Sequence, residues 1–306
     1  MGWLSEPVIA EEDGSVDELR ESVRDLLDGN PALQVFASDA CLRRYLTARG
    51  SVSKASQQLR NTLKWRLDFK PHDLCWDQVK DCATGGRLEL LLDTDKNKRP
   101  IILYRLRAPA KTGTTSEEYM QYWVHCLESA SKMGDELGAS KSVLVFDMEG
   151  YSDPKTIMPT FMTRVDLVRT AQAHYPERLG LAVVCNPPFL FWALWRSISP
   201  FLDPVTKSKV CFACNEQEVK AALEPHIDSH ILYSSLGGTL PEDGYSYDRL
   251  TSLMQGLDKK RGAELAAAKL LERKAAKAKG EEVLDAKPLS STVAEVDGKP
   301  VLQSKS

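Results

Sequence analysis

Short apolar runs alternating with longer segments of helical periodicity constrain this chain more than any other feature. Ser142 to Phe146, Leu181 to Cys185 and Lys209 to Phe212 are such runs, and Pro154 to Ala173 between the first two reads as one long helix. A strand without a polar face must be covered on both sides, and helices that cover alternating strands belong to a largely parallel sheet. Upstream, Leu88 to Leu92 and Ile101 to Leu106 are joined by a polar turn from Asp93 to Pro100, which predicts a β-hairpin. Thr115 followed by Glu118 is a capping box, and the helix it opens carries Tyr119, Tyr122, Trp123, Cys126 and Leu127 as far as Met133-Gly134. Glu216 to Leu223 reads as a further helix. The fold class is therefore α/β, a mainly parallel sheet flanked by helices.

The sequence before the hairpin is of a different kind. Val16, Leu19, Val23, Leu26 and Leu27 recur at helical spacing until Gly29-Asn30-Pro31. A second helix opens at Ser38-Asp39, carries Leu42, Tyr45 and Leu46 beside Arg43, Arg44 and Arg49, and closes at Gly50. A third starts at Ser53 and runs toward Pro71, so the N-terminal region forms a helical lobe. After Leu236-Gly237-Gly238 strand signals cease. Asp258 to Gly280 is rich in Ala and Lys, with eight Lys or Arg against three Asp or Glu, and predicts a solvent-exposed helix. Glu281 to Ser306 is polar and free of aromatics, the composition of a disordered tail.

Composition removes several functions. A formal charge of -3 over 306 residues carries no nucleic-acid signature. The seven cysteines include Cys211-Phe212-Ala213-Cys214 but no second pair at zinc spacing, and their odd number points to a reducing, cytoplasmic setting. There is no GxGxxG, phosphate loop, GxSxG or HExxH motif, so no enzyme class is indicated and no cofactor is expected. A Ser or Cys nucleophile built from distant residues is the remaining hydrolase reading, and nothing points to one. His174 and Tyr175 are haem-ligand types, but neighbours at one helix end are badly placed to hold one iron together.

The segment Phe189-Leu190-Phe191-Trp192-Ala193-Leu194-Trp195, continuing to Ile198, is apolar on every face and lies between Pro187-Pro188 and Pro200. It is too short to span a bilayer, which takes roughly 20 residues. A mobile apolar lid fits it. With the strands, and with Tyr119, Trp123 and Leu127 as a wall, it would close a cavity able to hold a bound lipid as ligand.

Several motifs stand in order: Arg44-Tyr45-Leu46-Thr47-Ala48-Arg49, Lys64-Trp65-Arg66, Arg99-Pro100, Phe146-Asp147-Met148-Glu149-Gly150, Tyr175-Pro176-Glu177-Arg178-Leu179-Gly180, Asn186-Pro187-Pro188 and Phe201-Leu202-Asp203-Pro204-Val205-Thr206-Lys207-Ser208-Lys209. In these residues, from about Asp39 to Gly238, the chain resembles the CRAL-TRIO, or Sec14-like, lipid-binding family. The resemblance implies one lipid held between the sheet and a gating helix comprising Phe189, Phe191, Trp192, Leu194, Trp195 and Ile198. It implies a phosphoinositide headgroup site on Arg44, Arg49, Glu177, Thr206 and Lys209, with Glu177 holding Lys209 in place. It also maps pocket-lining positions onto Ile102, Met133, Ser142 and Leu144: Ile102 and Met133 stand where the fungal phosphatidylcholine site has tyrosines, Leu144 stands where a hydroxyl residue would be, and Ser142 is kept, so a sterol or another hydrophobic ligand is an alternative cargo. Gly50 stands where the phosphatidylinositol-binding subset carries Lys.

The domain organisation expected is a flexible N-terminus (1–15), a helical lobe (16–80), a lipid-binding lobe (81–240) and a C-terminal extension (241–306). The function expected is that of a non-enzymatic lipid-exchange protein, monomeric, cytoplasmic and peripherally membrane-associated. Its partners would be a phospholipid, above all phosphatidylinositol, a transient membrane surface, and a lipid kinase or other protein, with no nucleic acid. A lipid-regulated interaction module is the second reading, and the basic stretch from Lys259 to Lys279 is its discriminating feature.

Overall fold

The computed structural model describes residues 13–151 and 160–278. Helices α1 (Asp13–Glu21), α2 (Arg24–Leu27), α3 (Pro31–Phe36), α4 (Asp39–Arg49) and α5 (Val52–Phe69) build the helical lobe around Leu19, Val23, Leu33, Leu42, Leu59 and Leu63. The apolar periodicity from Val16 to Leu27 is not one helix but two, and Pro31 opens a third, where its missing N–H costs no intrahelical bond. Ser38 caps α4 by accepting from the Cys41 N–H at 3.4 Å, and Gly50 ends it at φ 67°.

Helix α6 (Trp76–Val79) leads to the sheet: β1 (Leu88–Thr94), β2 (Pro100–Arg105), α7 (Ser116–Leu137), β3 (Ser142–Asp147), α8 (Phe161–His174), β4 (Leu179–Cys185), α9 (Phe191–Ile198), α10 (Pro204–Ser208), β5 (Val210–Ala213), α11 (Glu216–Leu223) and α12 (Tyr247–Ala278). Strands lie in the order β1-β2-β3-β4-β5. The β1–β2 pair is the expected antiparallel hairpin, and the other pairs are parallel. Thr115 caps α7 reciprocally with Glu118, at 3.1 and 2.7 Å. The N-terminal part of the helix expected from Pro154 lies outside the described residues; from Phe161 onward it is helical.

Strand residues alternate between two faces. Ile101, Leu103, Val143, Val145 and Val183 pack beneath Val219 and Leu223 of α11. The opposite face carries Tyr104, Leu144, Phe146 and Val184 toward α7 and α9. Along β3, Val143 and Val145 are fully buried while Ser142, Leu144 and Phe146 are only half-buried, because their side of the sheet faces a cavity rather than a packed layer.

The C-terminal helix starts earlier than expected. It begins at Tyr247, and Leu250, Met254 and Leu257 are buried in the same core as Trp76 and Tyr122. Asp258 is no surface residue either: it accepts from the Trp76 N–H at 2.5 Å, contacts His125 Nε2 at 2.9 Å and pairs with Arg261 at 2.6 Å. Exposure begins just beyond it, at Lys259 and Lys260, and continues along most of the helix, Leu270 and Leu271 included. The apolar spacing that docks α12 precedes the Ala- and Lys-rich stretch, which is helical and largely exposed as its composition predicts.

Candidate functional site

The half-buried face of the sheet floors a cavity of about 860 Å3. Leu144, Phe146, Ala182 and Val184 form its floor, and Tyr119, Trp123 and Leu127 of α7 form one wall. Tyr119 projects from one turn before Trp123, and burial, reinforced by the neighbouring Tyr104, raises its hydroxyl pKa well above the ordinary tyrosine value. Both tyrosines therefore stay neutral, and the interior suits an uncharged, apolar guest.

Helix α9 covers this space. Phe191, Leu194, Trp195 and Ile198 line it at i, i+3, i+4 and i+7. Phe212 on β5 supports the helix from below, 6.1 Å from the Phe191 ring and 5.0 Å from each of Trp192 and Trp195. The outward side is also apolar: Phe189 is 89% exposed, and Leu190 and Trp192 are exposed beside it. Of the gate residues, Phe189 precedes the helix and Trp192 packs outside the cavity. A water-facing row of this kind is costly in isolation and marks a contact surface.

Two anchors hold α9. At its start, Asn186 adopts φ 53°, its N–H donates to Ala213 at 2.8 Å, and its side chain donates to Asp147 at 3.3 Å. Asp147 is itself fully buried and accepts from Arg107 Nε at 2.7 Å. At the far end, Gln172 of α8 accepts from the Asp203 N–H at 3.1 Å and donates to the Phe201 carbonyl. The Arg169 guanidinium lies 4.6 Å over the Phe201 ring. Gln172 and Arg169 carry no motif that sequence reading could have caught; they act through contacts with Phe201 and Asp203, far along the chain.

A polar cluster sits at the amino-terminal edge of β3, β4 and β5. Tyr175, Pro176, Glu177 and Arg178 form a turn with proline second and a left-handed residue third, Glu177 at φ 55°. This aims the Glu177 carboxylate at two ammonium groups, Lys209 Nζ at 3.5 Å and Lys141 Nζ at 3.7 Å. Ser142, Thr206 and Arg49 also line the cavity. Asp203 caps α10 by accepting from the Thr206 N–H at 2.8 Å and hydroxyl at 2.7 Å, which leaves the hydroxyl oxygen able to accept. Arg49 donates to Gln58 at 2.6 Å, and Gln58 in turn donates to the Ala173 carbonyl at 2.9 Å. Lys141, in the loop before β3, is the cation that sequence reading missed.

Three expected residues lie elsewhere. Ile102 and Met133 are in packed core between β2 and α7, outside the cavity lining. Arg44 lines a separate, smaller cleft, with Asp135 at 3.9 Å. His174 stacks on Trp65 at 4.2 Å with Nδ1 3.1 Å from the Thr62 hydroxyl, and the Tyr175 hydroxyl donates to Glu128 at 2.7 Å. Neither is arranged as an iron ligand. Among the described residues there is no His, Cys, Asp and Glu grouping suited to a metal, and no helix is long and apolar enough to cross a membrane.

Residues 85–238 match the family model described as the CRAL/TRIO domain. A CRAL-TRIO domain-containing protein of Schizosaccharomyces pombe is 31% identical over 68% of this chain and 19% of its own length. The phosphatidylinositol transfer protein CSR1 of Eremothecium gossypii is 28% identical over 85% of this chain and 62% of its own. The phosphatidylinositol transfer protein PDR17 of Saccharomyces cerevisiae is 30% identical over 64% and 60%. The chain thus spans less than two thirds of the length of these relatives. Among solved structures, that of Sfh5 aligns with a TM-score of 0.61 at 16% identity, covering 82% of this chain and 96% of the other, a likeness of fold.

Proposed function

Because the chain belongs to the CRAL/TRIO family, whose members are lipid-transfer, non-catalytic proteins, we propose that it holds one phospholipid, phosphatidylinositol, under α9 and exchanges it at membrane surfaces. The observation that carries this reading is the pairing of an 860 Å3 apolar cavity with a cationic cluster, Lys209 and Lys141 around Glu177, at one edge of its floor. Acyl chains would lie over Leu144, Phe146 and Val184. An inositol phosphate headgroup would meet Lys209 and the Thr206 hydroxyl, with Glu177 accepting from ring hydroxyls. Two relatives are named phosphatidylinositol transfer proteins, which supports the choice of lipid.

Exchange follows from the gate. In water the exposed row at Phe189, Leu190 and Trp192 is unfavourable; at a bilayer each side chain would gain about 1.5–3 kcal/mol on full burial. Contact with lipid therefore favours α9 swinging outward, and return to water favours closure. In this reading the protein visits membranes from the cytoplasm without spanning them.

A more apolar cargo, such as a sterol, is the second reading. It is favoured by the position of Arg44, which faces the smaller cleft and so adds no charge to the large cavity. Mass spectrometry of lipids that co-purify with the protein separates the two. Phosphatidylinositol in the extract, and transfer of labelled phosphatidylinositol between vesicles that Lys209→Ala lowers at least tenfold with an unchanged melting temperature, supports the first. Sterol in the extract with no phosphatidylinositol transfer replaces it with the second.

A further inference from the structure

The cleft that Arg44 lines has a volume of about 150 Å3, room for roughly five waters or one tetrahedral oxyanion. It lies where α4, α5, α7, α12 and the Tyr175–Arg178 turn meet. Its inner surface is cationic. Arg44, Arg66, Lys132, Arg178 and Arg261 all line it, with side-chain exposures between 3% and 15%. Three carboxylates line it too, and two of them sit at the rim: Asp135 and Glu264 are 47% and 49% exposed. His72 and His174 are pushed down by burial, so neither adds charge at neutral pH.

The carboxylates are already engaged. Glu128 takes both Arg66 Nη atoms at 2.8 and 2.9 Å, Asp135 takes both Arg178 Nη atoms at 2.7 and 2.8 Å, and Glu264 pairs with Lys132. Arg44 is left with an ion pair to Asp135 stretched to 3.9 Å. Burial pushes its guanidinium down and outweighs the opposing pull of Cys41 and Asp135, with Arg178 acting in the same direction as burial. Arg261 turns one Nη to Asp258 and the Leu74 carbonyl, while its Nε and other Nη are buried without an acceptor. Arg66 Nε and His72 Nδ1 are buried and unpartnered as well, and Arg66 is only 3% exposed. Buried donors without acceptors are costly to keep. What would satisfy several guanidinium donors at once is a group that only accepts and carries negative charge at fork spacing.

We infer that this cleft is a phosphate site, distinct from the lipid cavity, in which Arg44 and Arg261 hold the oxyanion and Arg66 and Lys132 complete its surroundings. A phosphate there would join the helical lobe to α7 and α12 through charge-assisted bonds. The group could arrive as free phosphate or as the terminal phosphate of a lipid headgroup.

The test uses the full chain with inorganic phosphate, titrated at constant ionic strength against chloride and read by calorimetry and melting temperature. Saturable binding with one phosphate per chain and a rise in melting temperature is expected. Arg44→Gln should weaken binding about tenfold or more, the loss of one charge-assisted contact, and leave Asp135 with its Arg178 partner. Should that variant fold poorly, Arg44→Lys keeps the charge but loses the fork and should still weaken binding. Compared as lipid-free proteins, Lys209→Ala and the unaltered chain should bind phosphate equally, which separates this site from the lipid reading. Phosphatidylcholine vesicles containing phosphatidic acid supply the second arm. Competition of vesicles with phosphate assigns a lipid source, and binding of phosphate alone assigns a free one. No saturable phosphate binding, or affinity indifferent to both Arg44 variants, overturns the site.

Discussion

Glu177 holds a backbone position that glycine would occupy more cheaply. Its φ of 55° is left-handed, a region that disfavours any residue with a Cβ, and such strain is kept where the side chain is needed. Glu177→Gly is expected to raise stability by about 1 kcal/mol while lowering lipid transfer; a falling melting temperature in thermal unfolding would mean that its pairing with Lys209 and Lys141 outweighs the strain. Lys209 and Glu177 stand out in the sequence as candidates because each sits in a recognisable motif, and the structure brings them together at 3.5 Å. Lys141 was not, since its loop carries no pattern and its role exists only through proximity. The pairing of Arg44 with Arg49 at one site conflicts with helix geometry: five residues along α4 turn the side chain by about 140°, so the two face different spaces. Ile102 and Met133 were assigned by position along the chain, and strand pleat and helix facing decide which atoms reach the cavity.

At the scale of elements, α9 is held at its ends as well as by its packing on Phe212. Gln172 is the latch at its far end, joining α8 to Phe201 and Asp203 through two hydrogen bonds on an exposed surface. Gln172→Ala should accelerate lipid exchange several-fold at unchanged equilibrium occupancy, measured as the rate of labelled-lipid transfer beside the lipid content of the purified protein; a slower rate, or an empty protein, contradicts the latch. The apolar character of α9 was plain in the sequence, as was its placement between prolines. The way it divides its faces was not: Phe191, Leu194, Trp195 and Ile198 turn inward while Phe189 and Leu190 face solvent, a distribution set by the sheet edge it rests on. Helix α12 shows the reverse: its exposed part from Lys259 is legible in composition, whereas the docking spacing of Leu250, Met254 and Leu257 just before it is easily passed over.

The molecule as a whole is joined at one seam between the helical lobe and the α/β lobe. Arg66 of α5 is buried against Glu128 of α7, and Trp65 stacks on His174 at the end of α8. Burial, with Arg66 adding to it, lowers the His174 pKa from 6.5 to about 4. The unfolded chain takes up this proton near 6.5 and the folded chain only near 4, so the contribution is full above 6.5 and declines as pH falls toward 4. Burial opposes the charge on Glu128, but Arg66 and the Tyr175 hydrogen bond hold its pKa down at about 2, adding a second loss below 4.5. The melting temperature should therefore fall steadily on acidification from neutral, and His174→Gln should flatten the upper part of that slope; an unaltered slope would remove His174 from the seam's pH response. Beside this seam, Tyr175, Pro176 and Arg178 line both the large cavity and the small cleft. A partition shared by two chambers makes their occupants thermodynamic correspondents: whatever shifts the turn from one side changes affinity on the other, and by the same factor in each direction.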